Sequence, residues 1–284
     1  MIGDGKATRI DLLSFSTPHM RAFHMSWVAF FSVFFAWFGI APLMPVVRED
    51  LGLTQGQIGN LIVASVAATV LMRVLIGPLC DRFGPRRTYS ALLVLGSLPV
   101  MGIGLATSYE SFLLFRLAIG AIGAAFVITQ YHTSVMFAPN CVGTANATTA
   151  GWGNLGGGVT QILMPLLFGG ILILGFEAGD AWRLAMVGPG ALLLLLGIAY
   201  YVLTQDAPSG DFHALRSRGV RRSSGSALAS FRAAAGDHRV WALFVVYAAC
   251  FGVELTINNV AALYFHDRFS LGLAGAGMIA GLFG

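Results

Sequence analysis

Charge is what this sequence has least of. Asp, Glu, Lys and Arg make up 11% of its 284 residues, against roughly 25% in a soluble domain. That shortage excludes a water-soluble enzyme, a disordered chain and a nucleic-acid-binding domain. Cysteine is nearly as scarce. Cys80, Cys141 and Cys250 are the three, widely spaced and in or beside apolar runs. Their spacing suits no metal site, and an odd number argues against a disulfide framework. A cleavable leader is missing as well, because residues 1–20 mix charged and apolar residues without a compact apolar core. Nor are there the short alternating segments of about ten residues that build a membrane barrel.

Long apolar runs take their place. Hydrophobic residues reach 56% and the mean hydropathy is +0.76. Seven runs, near 23–47, 58–79, 88–106, 112–131, 146–174, 182–203 and 240–265, meet the requirement of about 20 mostly apolar residues for a spanning helix. An eighth begins near 271. The expected class is therefore an all-α polytopic membrane protein. Thirty-six glycines suit it, since glycine is commoner in membrane helices than in soluble ones.

Basic residues predict the orientation. With the N-terminus cytoplasmic, the inside segments hold Lys6, Arg9, Arg21, Arg82, Arg86, Arg87, Arg216, Arg218, Arg221, Arg222, Arg232 and Arg239, while the outside segments hold Arg48, Arg183 and Arg268. This is a positive-inside bias, and it accounts for the net charge of +4 without a nucleic-acid partner. The other two, Arg73 and Arg116, lie inside predicted spans. An arginine at mid-bilayer costs about 2.5–3.5 kcal/mol on insertion scales, so each must face a partner, the bundle interior or a wet cavity.

The expected organisation is a cytoplasmic N-terminus (1–22), a six-helix bundle (23–203), a Ser-, Gly- and Arg-rich cytoplasmic linker (204–239) and the start of a second bundle (240–284). Six helices, a long loop and further helices are the layout of a transporter built from two halves. The second half holds one full helix and part of another, so the sequence reads as a C-terminally truncated piece of such a protein.

Two motifs carry chemistry. Between the second and third runs stands Gly77-Pro78-Leu79-Cys80-Asp81-Arg82-Phe83-Gly84-Pro85-Arg86-Arg87. Glycine permits close helix approach, Asp81 can meet a neighbouring helix N-terminus, and the arginines stay cytoplasmic; a charged turn that only sets topology is the plainer interpretation. In the fifth run, Gly151-Trp152-Gly153-Asn154-Leu155-Gly156-Gly157-Gly158 contains a literal G-x-G-x-x-G, with Glu177 further on. A dinucleotide fingerprint needs a preceding strand in a soluble βαβ unit, so that interpretation is rejected. Tight helix packing is the simpler alternative, and Asn154 favours a glycine-lined slot for a small ligand.

The Gly77–Arg87 segment resembles the cytoplasmic loop signature of the major facilitator superfamily, and Arg116-x-x-x-Gly120-x-x-Gly123 resembles its fourth-helix motif. Phe137-Ala138-Pro139-Asn140-Cys141-Val142-Gly143-Thr144-Ala145-Asn146-Ala147-Thr148, followed by the glycine run, resembles the signature of the nitrate/nitrite porter family. Phe251-Gly252-Val253-Glu254-Leu255 with Asn258 and Asn259, and the linker start Asp206-x-Pro208-x-Gly210-Asp211-Phe212, resemble its cyanobacterial, algal and plant high-affinity branch. The resemblance implies a major facilitator fold and a plasma (inner) membrane location. It also implies transport of nitrate and nitrite by alternating access, coupled to protons or to anion exchange, with no cofactor and no metal. In that family an arginine on helix two contacts the anion, a place held by Arg73, and a helix-five asparagine corresponds to Asn154. A second arginine on helix eight and a second glycine signature on helix eleven fall beyond the last residue.

The chemistry is coherent with this. A guanidinium is planar, permanently charged and forked, and so matches two oxygens of a flat oxyanion. Asn154 can donate to a third, with Gly151, Gly153 and Gly157 leaving a narrow slot. The alternative for Arg73 is a structural pair with Glu254, the sole acid within a predicted span. Glu254 and Asn258, one turn apart, are expected to line the path, and His132 to lie at the membrane interface. A facilitator of a drug, sugar or organic anion, or a non-transporting fragment, are the competing functions.

Overall fold

A computed structural model describes residues 5–219 and 227–283. Arg221 and Arg222, counted above among the inside cations, lie outside the described residues. Among the described residues, seven helices are long and apolar enough to cross a membrane: Pro18–Asp50, Gln55–Phe83, Pro85–Leu105, Tyr109–Met136, Val142–Ile173, Ala178–Leu203 and His238–Phe269. No strand is present among the described residues. An eighth helix, Leu273–Gly281, follows.

Local chemistry sets the ends. The first span starts before its apolar run because the Thr17 hydroxyl accepts from the Met20 amide and Pro18 occupies the first turn, where its missing N–H costs nothing. Thr54 and Gln57 cap the second span reciprocally, as Ser108 and Ser111 cap the fourth. The second and third spans meet at a single residue, Gly84, with φ +90°, a backbone conformation that suits glycine.

The first span is the core of the bundle, with Phe23, Phe30, Phe34, Trp37 and Phe38 fully buried. It packs along the fifth span, the second against the fourth, and the third against the sixth. Small residues make these contacts close. A side chain at Gly156 would run into the Phe31 backbone, and one at Gly120 into the Ser65 carbonyl.

At one end of the bundle the chain folds back on itself twice. The N-terminal segment lies on the joint between the fourth and fifth spans: the Ala7 amide donates to the Met136 carbonyl at 3.0 Å, the Ala138 amide to the Ala7 carbonyl at 2.9 Å, and Lys6 Nζ to the Ser134 carbonyl at 3.0 Å. The linker start docks beside it. Asp206 accepts from the amides of Arg86 and Phe212, both at 2.9 Å, and Arg86 pairs with Asp211 at 2.6 Å. Arg216, in the short helix Phe212–Ser217, donates to the carbonyls of Asp81 and Arg82. At the opposite end, Arg48 and Arg183 pair with Asp267 and Asp50.

Candidate functional site

Arg73 sits two-thirds of the way along the second span and points into the bundle. Its guanidinium carbon lies 5.0 Å from the centre of the Phe251 ring and 5.7 Å from that of Phe126. These rings belong to the seventh and fourth spans, so the cation faces protein and not acyl chains. Tyr247 completes the cage. Its ring stacks on Phe251 at 5.2 Å and on Phe126 at 5.9 Å, and its hydroxyl is in polar contact with Arg73. A cation held over aromatic faces gains about 0.5–2 kcal/mol, more when desolvated. Two donors are left over, because Nε and Nη2 of Arg73 are buried without a hydrogen-bond partner. Buried N–H groups of a charged side chain are rarely left this way.

The alternative of a structural pair is not what the geometry holds. Among the described residues no ion pair joins Arg73 to Glu254. Glu254 is half-buried, and its backbone carbonyl accepts from Asn258 Nδ2 at 3.1 Å.

Phe126 also links the cage to the fifth span. Its ring lies 5.6 Å from Phe30, and Phe30 fills the space that a side chain at Gly153 would need. One residue on, Asn154 carries a buried side-chain oxygen with no partner. Gly153 and Gly157, four apart, lie on one buried face, where Gly153 packs on Phe30 and Gly157 lies against the Asn258 side-chain amide, whereas Gly151 is exposed to open space. The single slot expected of Gly151, Gly153 and Gly157 therefore loses Gly151, because a position two residues earlier is turned by about 200°. Asn258 is buried, and its carbonyl accepts from Gln161 Nε2 at 2.7 Å.

Arg116 is also inside, only 2% exposed. It donates to the Trp37 carbonyl at 3.2 Å and to Asn259 Oδ1 at 3.1 Å. Gly123 of the same motif lies against Trp37 and Thr69.

The Gly77–Arg87 segment is a helix end, a one-residue joint and a helix start, not a loop. Asp81 accepts from the Tyr131 hydroxyl at 2.8 Å, and the carboxylate at the start of the third span is that of Asp206. Gly77 has nothing against it. Arg82 lies over the Phe83 ring at 5.2 Å, and Arg82 and Arg87 are exposed. His132, expected at the interface, is fully buried. It bonds the Gln205 carbonyl through Nε2 at 2.8 Å and the Tyr200 hydroxyl through Nδ1 at 2.6 Å. The carbonyl can only accept, so Nε2 carries the proton and Nδ1 accepts from Tyr200.

Phe126, Tyr247 and Gln161 escape a sequence-based search, and Phe251 enters it only as one letter of a motif. Aromatic residues in apolar runs give no polar signal, and the three rings reach Arg73 from two different spans, the fourth and the seventh. Tyr247 and Phe251, four apart on one helix face, were the available cue.

A family model described as Major Facilitator Superfamily matches residues 26–284. The chain is 42% identical over 283 residues to "High affinity nitrate transporter 2.5" of Arabidopsis thaliana, covering 99% of this chain and 56% of that protein. It is 39% identical to "Nitrate transporter 2.1" of Chlamydomonas reinhardtii, covering 99% and 52%. It is 35% identical to "Nitrate/nitrite transporter NrtP" of a Picosynechococcus strain, covering 67% and 39%. The chain thus spans about half the length of the curated relatives it matches. A solved bacterial homologue of the lysosomal transporter Spinster, inward-facing and unoccupied, superimposes with a TM-score of 0.70 at 18% identity, covering 94% of this chain and 60% of that one.

Proposed function

This chain belongs to the Major Facilitator Superfamily, and from that premise we propose that it is part of a membrane transporter that moves nitrate and nitrite by alternating access. Arg73 is the cation that holds the anion. One observation carries this reading: two N–H groups of a caged, permanently charged guanidinium are buried with nothing to donate to. A flat monovalent oxyanion offers two acceptors at the spacing of that fork. The NH2 of Asn154 is a further donor for it, and Glu254 and Asn258 line the path beside Gly157.

Residues 23–203 form the first bundle, 204–239 the linker and 240–284 the start of the second, with the linker end cytoplasmic in the plasma (inner) membrane. Gly77, Asp81, Arg82, Gly84, Arg86 and Arg87 form the conformational gate at that end, and Gly77 keeps an open face for a helix of the other bundle. Protons, or a counter-moving anion, supply the coupling.

The test is nitrate binding to the purified chain by isothermal titration. Arg73→Lys keeps the charge and loses the fork, so binding should fall by tenfold or more while membrane insertion is unchanged. Equal binding by the lysine variant would remove Arg73 from the site.

A further inference from the structure

The seventh span touches the first bundle unevenly. From His238 to Val246 every residue is exposed. Beyond the Arg73 cage the same helix turns inward, and Leu255, Asn258, Asn259, Ala262 and Leu263 are buried. The half of this helix remote from the linker is the half that is closed.

Besides the bond from Gln161 to the Asn258 carbonyl, two polar contacts hold it there. At the rim, Arg48 grips Asp267 with both arms, at 2.7 and 2.8 Å. Deeper, Arg116 of the fourth span reaches Asn259 of the seventh and the Trp37 carbonyl of the first. Trp37 is the last residue of the helix Pro18–Trp37. Final-turn carbonyls lack a helical donor and carry the negative end of the dipole, which favours a cation. Arg116 has no ion pair among the described residues, and its Nε is buried without a partner. Such a charge is held by neutral dipoles alone. Withdrawing the seventh span would replace Asn259 by water and hydrate a guanidinium that is now poorly solvated, so neither state is strongly favoured. A carboxylate in place of Asn259 would lock the contact instead.

We propose that Arg116 and Asn259 form a releasable clamp that closes the transporter at the end remote from the linker, with Arg48 and Asp267 as its rim. The clamp rests on the alternating-access reading above and not on the identity of the anion. Opening toward that side breaks both contacts.

The test is thiol accessibility in intact cells. Cys80, Cys141 and Cys250 are replaced by alanine, and Ala262, 3% exposed, becomes a cysteine probed with a membrane-impermeant maleimide. Labelling should be slow in the parent and about tenfold faster with Arg116→Gln or Asn259→Ala. Arg116→Lys should lie between. A cysteine at the already exposed Val246 should react with a permeant maleimide at one rate throughout, which checks that the variants fold. With the clamp intact, cysteines at positions 48 and 267 should be joined by a short bifunctional thiol reagent. Unchanged labelling at position 262, or failure to join 48 to 267, overturns the clamp. Neither readout needs nitrate, so loss of nitrate binding by the Arg73 variant and a silent clamp are separable results.

Discussion

The Asp206 carboxylate occupies the space into which a side chain at Gly84 would project. The joint between the second and third spans is therefore closed from outside by a residue from the linker, 122 positions later in the sequence. Gly84→Ala would collide with Asp206 and force alanine into φ +90°. The strained backbone alone costs about 1–3 kcal/mol. The expected outcome is a lower unfolding temperature in detergent and faster tryptic cleavage after Arg216 and Arg218, while the helix content measured by circular dichroism is kept.

Asp206 also gives the linker a pH dependence. Burial raises its pKa above the ordinary carboxylate value, against the lowering effect of the Phe212 and Arg86 amides. A carboxyl whose folded pKa is raised stabilises the fold fully below its unfolded pKa of about 3.9, and that contribution is lost as pH rises through the raised value. Docking should thus tighten toward acid in the parent and lose this slope in Asp206→Asn. Tryptic protection of the linker, followed upward from about pH 4, measures it; identical slopes in the two proteins would exclude Asp206 as the titrating group.

Gly151 and Gly156 should behave oppositely. Nothing lies near Gly151, whereas Gly156 meets the Phe31 backbone. Gly151→Ala is expected to be neutral or to gain up to about 1 kcal/mol from helix propensity. Gly156→Val should prevent a stable fold, seen as aggregation in size-exclusion chromatography.

Removing the His132 ring, which joins the fourth span, the sixth span and the linker, would strand the Gln205 carbonyl and leave the Tyr200 hydroxyl with Ser26 Oγ alone. A buried group left unsatisfied costs about 1–3 kcal/mol. His132→Ala should therefore lower the unfolding midpoint more than Tyr200→Phe, which keeps the ring and leaves Nε2 bonded.

Phe251→Ala takes one wall from the Arg73 cage. The loss of cation–π contact, about 0.5–2 kcal/mol, should weaken the proposed nitrate binding severalfold. Calorimetric titration beside the parent protein checks it.

The spans were legible because each is a continuous apolar run, and hydropathy alone separates them. Their ends were less so. The first begins at Pro18, where Thr17 and the proline set the start, and no apolar pattern signals that. Arg73 and Arg116 stood out because charge is so rare in these segments. Their surroundings did not. Asp206 and His132 lie far from their partners in sequence, and only the folded chain brings a linker carboxylate to a helix start or an imidazole to a linker carbonyl. The glycine run was visible as a motif, while what each member meets depends on where Phe30, Phe31 and Asn258 arrive.

The stitch between Ala7 and the segment around Phe137 has a consequence for biosynthesis. A ribosome delivers residues 5–8 more than a hundred codons before the positions that receive them, so this seam cannot close until the fourth span has emerged and turned. The beginning of the chain must wait, unattached, through the insertion of three helices. Its protection from a protease added during translation would mark the moment at which the first four helices have come together.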